Sequence, residues 1–376
     1  MRTLSILIFA FLLTGFTIDA QELALVQDGG QFGYIGKSGA FVIEPQFNKA
    51  TNFSGKLAAV LKNKKWGYIN SSGKWAIEPI YDKVKKFNSG IAMVQKDGQW
   101  GYIDTSGKTL EVPASDKYYD FKDGVAIFRG GDKIGLLGTN GKLVLEPKFD
   151  VIKKFWEGHA KVKNGELWGM INNKGKVTVP LEYTGLGSYS PNGIWARKGT
   201  EMGLIVNGGF KAVPNAKKIY DFREGSSLTY ASDGDKVGYI NNKGEWVIKP
   251  AYDKARSFNN GMAPVMKDKK WGYINEEGEQ LIDFKFKDAE IFSADGLAPV
   301  KEKKWGFIDK SGKLMIPMDY DIGTGFGFLQ KNAQKGFING LARIKSKKGW
   351  AFITKEGTIL GDKWYKHAEN FINPNK

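Results

Sequence analysis

The sequence predicts an all-β protein, built as a tandem array of about ten three-stranded antiparallel meanders of 34 residues each. Three observations predict it. A bulky apolar or aromatic residue followed by Gly recurs at a fixed interval, a second Gly follows six residues after each copy, and no stretch carries a long helical periodicity. The 48 glycines in 376 residues are more than an average globular chain contains, where about 7% is usual, and they mark turns at short, regular intervals.

The bulky-Gly motif occurs at Phe32-Gly33, Trp66-Gly67, Trp100-Gly101, Ile134-Gly135, Trp168-Gly169, Met202-Gly203, Val237-Gly238, Trp271-Gly272 and Trp305-Gly306, with a degenerate tenth copy at Trp350-Ala351. Successive glycines lie 34, 34, 34, 34, 34, 35, 34 and 34 residues apart, then 45 to Ala351. The central strand is read from segments such as Trp66-Gly67-Tyr68-Ile69, and its partner from Trp75-Ala76-Ile77, both short, aromatic and β-branched. Between them, Asn70-Ser71-Ser72-Gly73 has the form of a type I turn closed by a left-handed Gly. The same in-frame glycine is Gly39, Gly107, Gly141, Gly175, Gly209, Gly244, Gly278, Gly312 and Gly357 in the other copies.

A preceding apolar run such as Leu57 to Leu61 supplies the first strand, joined through the Lys-rich turn Lys62-Asn63-Lys64-Lys65. A proline such as Pro45, Pro79, Pro147 or Pro250 then ends the hairpin, because it cannot donate to a ladder. A looser connection follows. It carries an aromatic-Asp pair (Tyr81-Asp82, Phe149-Asp150, Tyr220-Asp221, Tyr252-Asp253, Tyr320-Asp321) and a Phe before another Gly (Phe53, Phe87, Phe121, Phe155, Phe258, Phe292). The frame is irregular over 181–215, and 318–345 holds an 11-residue excess.

These residues carry a resemblance. Lys65-Trp66-Gly67-Tyr68-Ile69-Asn70, Lys270-Trp271-Gly272-Tyr273-Ile274-Asn275 and Lys304-Trp305-Gly306-Phe307-Ile308-Asp309 resemble the WG (KWG-type) repeat family of bacterial proteins over nearly the whole chain. The resemblance implies an all-β repeat protein, often exported, and supplies no catalytic residues. The motif residues Trp66-Gly67, Trp100-Gly101, Trp168-Gly169, Trp271-Gly272 and Trp305-Gly306 read as structural. Ile134, Met202 and Val237 stand where Trp stands elsewhere, which packing between neighbouring repeats tolerates and a stacking platform does not. A curved, open, solenoid-like array is expected over a closed, propeller-like toroid, since 34 residues are few for a four-stranded blade. Closure has one argument in its favour: Ala24 to Gln27 supplies a strand before the first motif and the chain stops just after Phe371, where the next such strand would begin.

Residues 1–20 have the layout of a secretory signal peptide, with Arg2, an apolar run from Leu4 to Leu13, and cleavage expected after Ala20, leaving 21–376 as the array. The expected location is therefore periplasmic, cell-surface associated or secreted, with no transmembrane segment in the mature chain. Zero cysteines exclude a disulfide framework, a thiolate zinc site and a cysteine nucleophile.

Basic residues number 56 against 40 acidic ones, a formal charge of +16. Lysines recur in frame in the inter-strand turns, at Lys62, Lys64 and Lys65, Lys267, Lys269 and Lys270, and Lys301, Lys303 and Lys304. Residues at one phase of a repeat emerge on one side of a stack, and a basic stripe attracts polyanions. The bland reading is that lysine keeps turns soluble and blunts strand edges. Few arginines and export argue against a nucleic-acid partner.

The irregular junction offers Tyr189, Trp195 and Arg197 as a second candidate binding site, beside further tryptophans at 75, 156, 246 and 364. His159 and His367 read as incidental, and the aspartates of the aromatic-Asp pairs as caps rather than calcium ligands. Gly323, Gly325 and Gly327 lack the strand-to-helix context of a phosphate loop and read as a looped-out rim. The sequence shows no HExxH, GxSxG or P-loop motif, so no catalytic residue, metal or cofactor is expected. The expected function is a non-enzymatic exported binding or scaffolding protein that recognises an anionic envelope polymer, glycan or protein. The alternatives are a purely structural envelope component or a carboxylate-dependent hydrolase.

Overall fold

A computed structural model describes residues 21–115, 117–323 and 335–375. The signal-peptide reading of 1–20, and Gly325 and Gly327 of the rim, lie outside them. The described residues form small antiparallel sheets and contain no α-helix, only one 3-10 turn at Leu360–Asp362.

The second repeat shows how the sequence builds a unit. Ala58–Lys62 pairs with Lys65–Ile69 through a turn in which Asn63 and Lys64 have φ of 51° and 65°, the primed geometry that matches strand twist. At the next turn the Asn70 side chain accepts the amides of Ser72 (3.1 Å) and Lys74 (3.0 Å), and Gly73 takes φ 79°. That is the predicted type I turn with its left-handed glycine. In the sixth repeat the left-handed pair is instead Asn207 and Gly208, with φ of 51° and 78°, and Val206 pairs directly with Gly209. The in-frame Gly209 is therefore a strand residue, because a two-residue turn has replaced the longer one.

The proline reading needs a correction. Pro79 lies inside the third strand, Trp75–Tyr81, and not at its end. Tyr68 pairs with Ile77 and Trp66 with Tyr81, so the third strand bulges by two extra residues opposite Gly67. The bulge lifts Pro79 out of the ladder, which removes the penalty for its missing N–H. It also explains the motif glycine: a Cβ on Gly67 would sit 2.6 Å from the Ile77 carbonyl oxygen and 2.8 Å from the Pro79 nitrogen.

The first nine repeats have the predicted three strands, the tenth has two, and the loose connection that follows is in most copies itself partly strand. One residue past Tyr81, Lys83–Val84 pairs with Gln95 and Val94 in the first strand of the next repeat. The third strand is therefore shared, its body paired at home and its tail paired with the neighbour. In the ninth repeat the two parts fuse into one strand, Leu314–Ile322, with Tyr320 opposite Trp305 of its own repeat and Ile322 opposite Ile344 of the next.

Hydrophobic clusters lie between consecutive repeats; one joins Tyr68, Ile77 and Tyr81 of the second to Phe87, Val94 and Ile103 of the third. The array curves until its ends meet. Leu23–Asp28 pairs with His367–Ala368, Leu23 and Ile372 exchange backbone bonds of 2.9 and 3.0 Å, and Val26 and Ile35 share a cluster with Phe352, Tyr365 and Phe371. The N-terminal strand thus joins the last unit, the pairing that the positions of the two chain ends suggested. Arg343, 4% exposed, fixes this junction by donating to the carbonyls of Ala368 (2.6 Å) and Gly323 (2.9 Å).

Candidate functional site

The first candidate surface is the row of turns between first and central strands. Two of its lysines are engaged by the frame itself. Lys65 meets Asp82 at 2.5 Å and Lys304 meets Asp321 at 2.5 Å; Lys133–Asp150 and Lys236–Asp253, also at 2.5 Å, repeat the pair elsewhere in the array. The Lys65 hydrogen bond holds the Asp82 carboxyl below the usual carboxylate range, and the same bond raises Lys65. The second Asp82 oxygen accepts the Asp97 amide of the next repeat's turn at 2.9 Å. Asp150 does the same for Gly165 at 2.7 Å. Asp82 and Asp150 therefore each clip their own repeat to the following turn, and both carboxylate oxygens are used in doing so.

Of the remaining candidates, Lys270 donates to the Lys285 carbonyl (3.1 Å) and Lys301 lies over the Trp305 ring (5.6 Å). Lys62, Lys64, Lys267, Lys269 and Lys303 make no ion pair or side-chain hydrogen bond among the described residues, and all but the half-buried Lys62 are exposed. Lys267 and Lys269 belong to the eighth repeat and Lys303 to the ninth, so three free ammonium groups sit on neighbouring turns.

The second candidate separates on inspection. Trp195 and Arg197 lie two residues apart on the strand Ile194–Lys198 and so share one face, where Trp195 packs against Met202, Ile219 and Phe222. Tyr189 instead joins Met170, Ile194 and Ile205 in the cluster on the other side. Arg197 is exposed. The structure does not bring these three side chains together, because the alternation of that strand sends its neighbours to opposite cores. Tyr189 is stacked on His159, with centroids 3.7 Å apart and planes 10° apart.

The motif tryptophans pack between repeats. Trp271 and Trp305 are 6% and 8% exposed, and Trp66, Trp100 and Trp168 are half-buried against inter-repeat clusters. Ile134 and Met202 occupy the same slot and are buried. Cations cover several of the rings: Arg256 lies 4.5 Å over Trp271, and Lys153 and Lys163 lie 5.6 and 5.8 Å from the Trp168 ring. Like Gly67, Gly169, Gly272 and Gly306 face the backbone of a bulging third strand, with carbonyl oxygens 2.7, 2.6 and 2.5 Å from where a Cβ would stand. Gly101 has nothing within 4 Å.

Sequence reasoning passed over the residue after the motif glycine. Tyr34, Tyr68, Tyr102, Tyr239 and Tyr273 are buried, and each hydroxyl donates to the carbonyl 17 residues later, on Thr51, Lys85, Tyr119, Arg256 and Glu290, at 2.7 to 2.8 Å. The in-frame Phe of the next repeat packs on the same ring, as Phe87 does on Tyr68 at 4.7 Å. The signal was legible as Tyr at that place in five copies. Among the described residues no cluster of three or more His, Asp or Glu side chains is arranged to hold a metal, and no helix is long and apolar enough to cross a membrane.

Handed-over strands, a bulge opposite a glycine and a buried tyrosine bonded to the next repeat define a tandem β-repeat protein. The chain belongs to the family described as WG containing repeat, whose model matches residues 32–66, 66–100, 100–133, 134–168, 168–197, 238–271, 271–304 and 305–326. The unmatched stretch 198–237 contains the sixth repeat's two-residue turn. No curated protein sequence matches the chain. Among solved structures it is similar to a eukaryotic initiation factor (12% identity, 79% of this chain and 95% of that one, TM-score 0.47). It is also similar to PorZ, a bacterial surface component of the type-IX secretion system of Porphyromonas gingivalis (11% identity, 91% and 62%, TM-score 0.26). A third is the extracellular domain of a putative hybrid two-component system from B. thetaiotaomicron (10% identity, 89% and 61%, TM-score 0.26).

Proposed function

We propose that this protein is an exported, non-enzymatic binding or scaffolding module of the cell envelope, and that its repeat turns engage an anionic polymer, glycan or protein. The observation that carries this reading is the set of exposed lysines without partners, Lys64, Lys267, Lys269 and Lys303, in the turns between first and central strands. Where lysine serves the fold, as at Lys65 and Lys304, the frame supplies an aspartate for it. Free ammonium groups on adjacent turns attract a polyanion along the array, and that attraction is screened by salt.

The test is retention of isolated anionic envelope polymers on the immobilised protein at low and high ionic strength. Saturable binding is expected, falling steeply with salt and reduced by the combined charge reversal Lys267→Glu, Lys269→Glu and Lys303→Glu. No saturable binding at any salt concentration defeats the reading in favour of a purely structural envelope component, which the use of Lys65, Lys133, Lys236 and Lys304 as internal clips supports.

A further inference from the structure

The fifth repeat carries the only exposed aromatic side chain among the described residues. Trp156 is 53% exposed in the tight turn before the first strand His159–Asn164. The corresponding turn residues of the second, third, fourth and eighth repeats are Ser54, Asn88, Lys122 and Asn259. Trp156 and His159 exchange both backbone hydrogen bonds across Glu157 and Gly158, at 2.8 and 3.0 Å, so their side chains stand on the same face of the hairpin. His159 in turn lies flat on Tyr189 at 3.7 Å. An indole left in water, an imidazole beside it and a phenol stacked beneath thus form a row running from solvent into the junction with the sixth repeat.

The row is rigid. Glu157 and Gly158 hold φ of 49° and 70°, and the neighbouring repeat ties the turn down: the Gly158 amide donates to Asp123 Oδ2 at 2.9 Å. The Gly158 carbonyl accepts the Asn173 amide at 2.9 Å, and the Asn173 side chain donates to the Asp123 carbonyl at 2.9 Å. His159 Nδ1 lies 2.8 Å from the Glu157 carbonyl oxygen, which fixes the ring's orientation. Beside the row, Tyr189, Ser190, Thr178 and Asn207 line a cavity of about 180 Å³.

An exposed aromatic side chain on a fixed turn, near a small cavity with hydroxyl and amide groups, suits a ligand that is apolar on one face and polar around its rim. A pyranose is such a ligand, since its axial C–H groups form the apolar face and its hydroxyls the rim. We propose that Trp156, His159 and Tyr189 form a saccharide-binding platform, with the Glu157 carboxylate and the Ser190 hydroxyl available to sugar hydroxyls. The platform rests on the binding-module reading and names a ligand class for it. It stands at the opposite end of the first strand from the lysine turn, so stacking there does not depend on charge.

The experiment uses the full chain labelled with fluorotryptophan, with the Trp156 fluorine signal assigned by its loss in Trp156→Phe. Neutral tetrasaccharides of β-1,4-linked glucose, β-1,4-linked N-acetylglucosamine and α-1,4-linked glucose are titrated in turn. At least one is expected to shift the Trp156 signal saturably, with little sensitivity to salt. Trp156→Ala should weaken that saccharide about ten-fold, the scale of one lost aromatic contact, while Tyr189→Phe keeps it. The proposal is overturned if no saccharide moves the Trp156 signal, if Trp156→Ala binds the saccharide unchanged, or if only a proline-rich peptide moves the signal. Polyanion retention by the unmutated protein separates the two readings. If it retains polyanions but binds no saccharide, the platform alone is removed, and if it binds neither, the binding module falls with it.

Discussion

The second and third repeats share the same motif and use it differently. Trp66-Gly67-Tyr68 and Trp100-Gly101-Tyr102 occupy equivalent central strands. In the second repeat a seven-residue third strand bulges over Gly67; in the third repeat that strand shrinks to Thr109–Leu110, and nothing lies within 4 Å of a Cβ on Gly101. The following sheet accordingly has three strands and lacks the handed-over tail. Tyrosine makes up part of the loss. Tyr68 only donates, to the Lys85 carbonyl at 2.7 Å, whereas the Tyr102 hydroxyl donates to the Tyr119 carbonyl at 2.7 Å and accepts its amide at 3.0 Å. A side chain there does what a backbone pair does elsewhere. Identical motif residues therefore carry different demands, set by what packs against them.

The comparison is broken most sharply at the glycines. Gly67→Ala is expected to cost about 3 kcal/mol, because its Cβ meets backbone that cannot rotate away. Gly101→Ala should stay within about 0.5 kcal/mol of the parent. Equal costs in urea unfolding would refute the bulge as the reason for the motif glycine.

The tyrosines come next. Tyr102→Phe leaves two backbone groups without a partner and Tyr68→Phe leaves one, so losses of about 2 and about 1 kcal/mol are expected. Calorimetry on the two variants checks the order. A smaller effect, of opposite sign, lies in the lysine turn. Lys64 holds φ 65° where the third repeat has Gly98 at φ 81°. Lys64→Gly should stabilise by about 0.5 to 1 kcal/mol and Gly98→Lys should destabilise by a similar amount, read as shifts in melting temperature.

The smallest effect is electrostatic. Asp82 is paired with Lys65, while the third repeat has Gln99 in the lysine's place. Because the folded Asp82 carboxyl titrates below its unfolded value, its contribution is complete above the ordinary carboxylate range and is lost as pH falls through the depressed value. Asp82→Asn should lower the melting temperature slightly at neutral pH and leave it nearly unchanged below the depressed value, so that the acid side of the profile flattens. An unaltered profile would show that the clip adds nothing in solution.

Much of the fold was legible, because its signals are local. The turn at Asn70 to Gly73 could be read from residue types that favour a capped type I turn and a left-handed conformation. Pro79 was misplaced because a proline inside a strand looks like a terminator unless the bulge is known. Lys83–Val84 went unseen because two residues carry no period. The candidate sites were less legible. Which lysines are free depends on an aspartate 17 residues away, as at Lys65 and Asp82. The opposite facing of Tyr189 and Trp195 follows from a strand phase that irregular spacing concealed.

The sequence by itself determined the repeat length, the three strands of the first nine units and the chemistry of their turns, since each rests on backbone preferences of residues a few positions apart. Tertiary structure alone decided that third strands pass from one repeat to the next and that Leu23–Asp28 meets His367–Ala368. It also decided which motif glycines are indispensable. Those outcomes depend on the approach of segments distant along the chain, and no local preference encodes how close two backbones come.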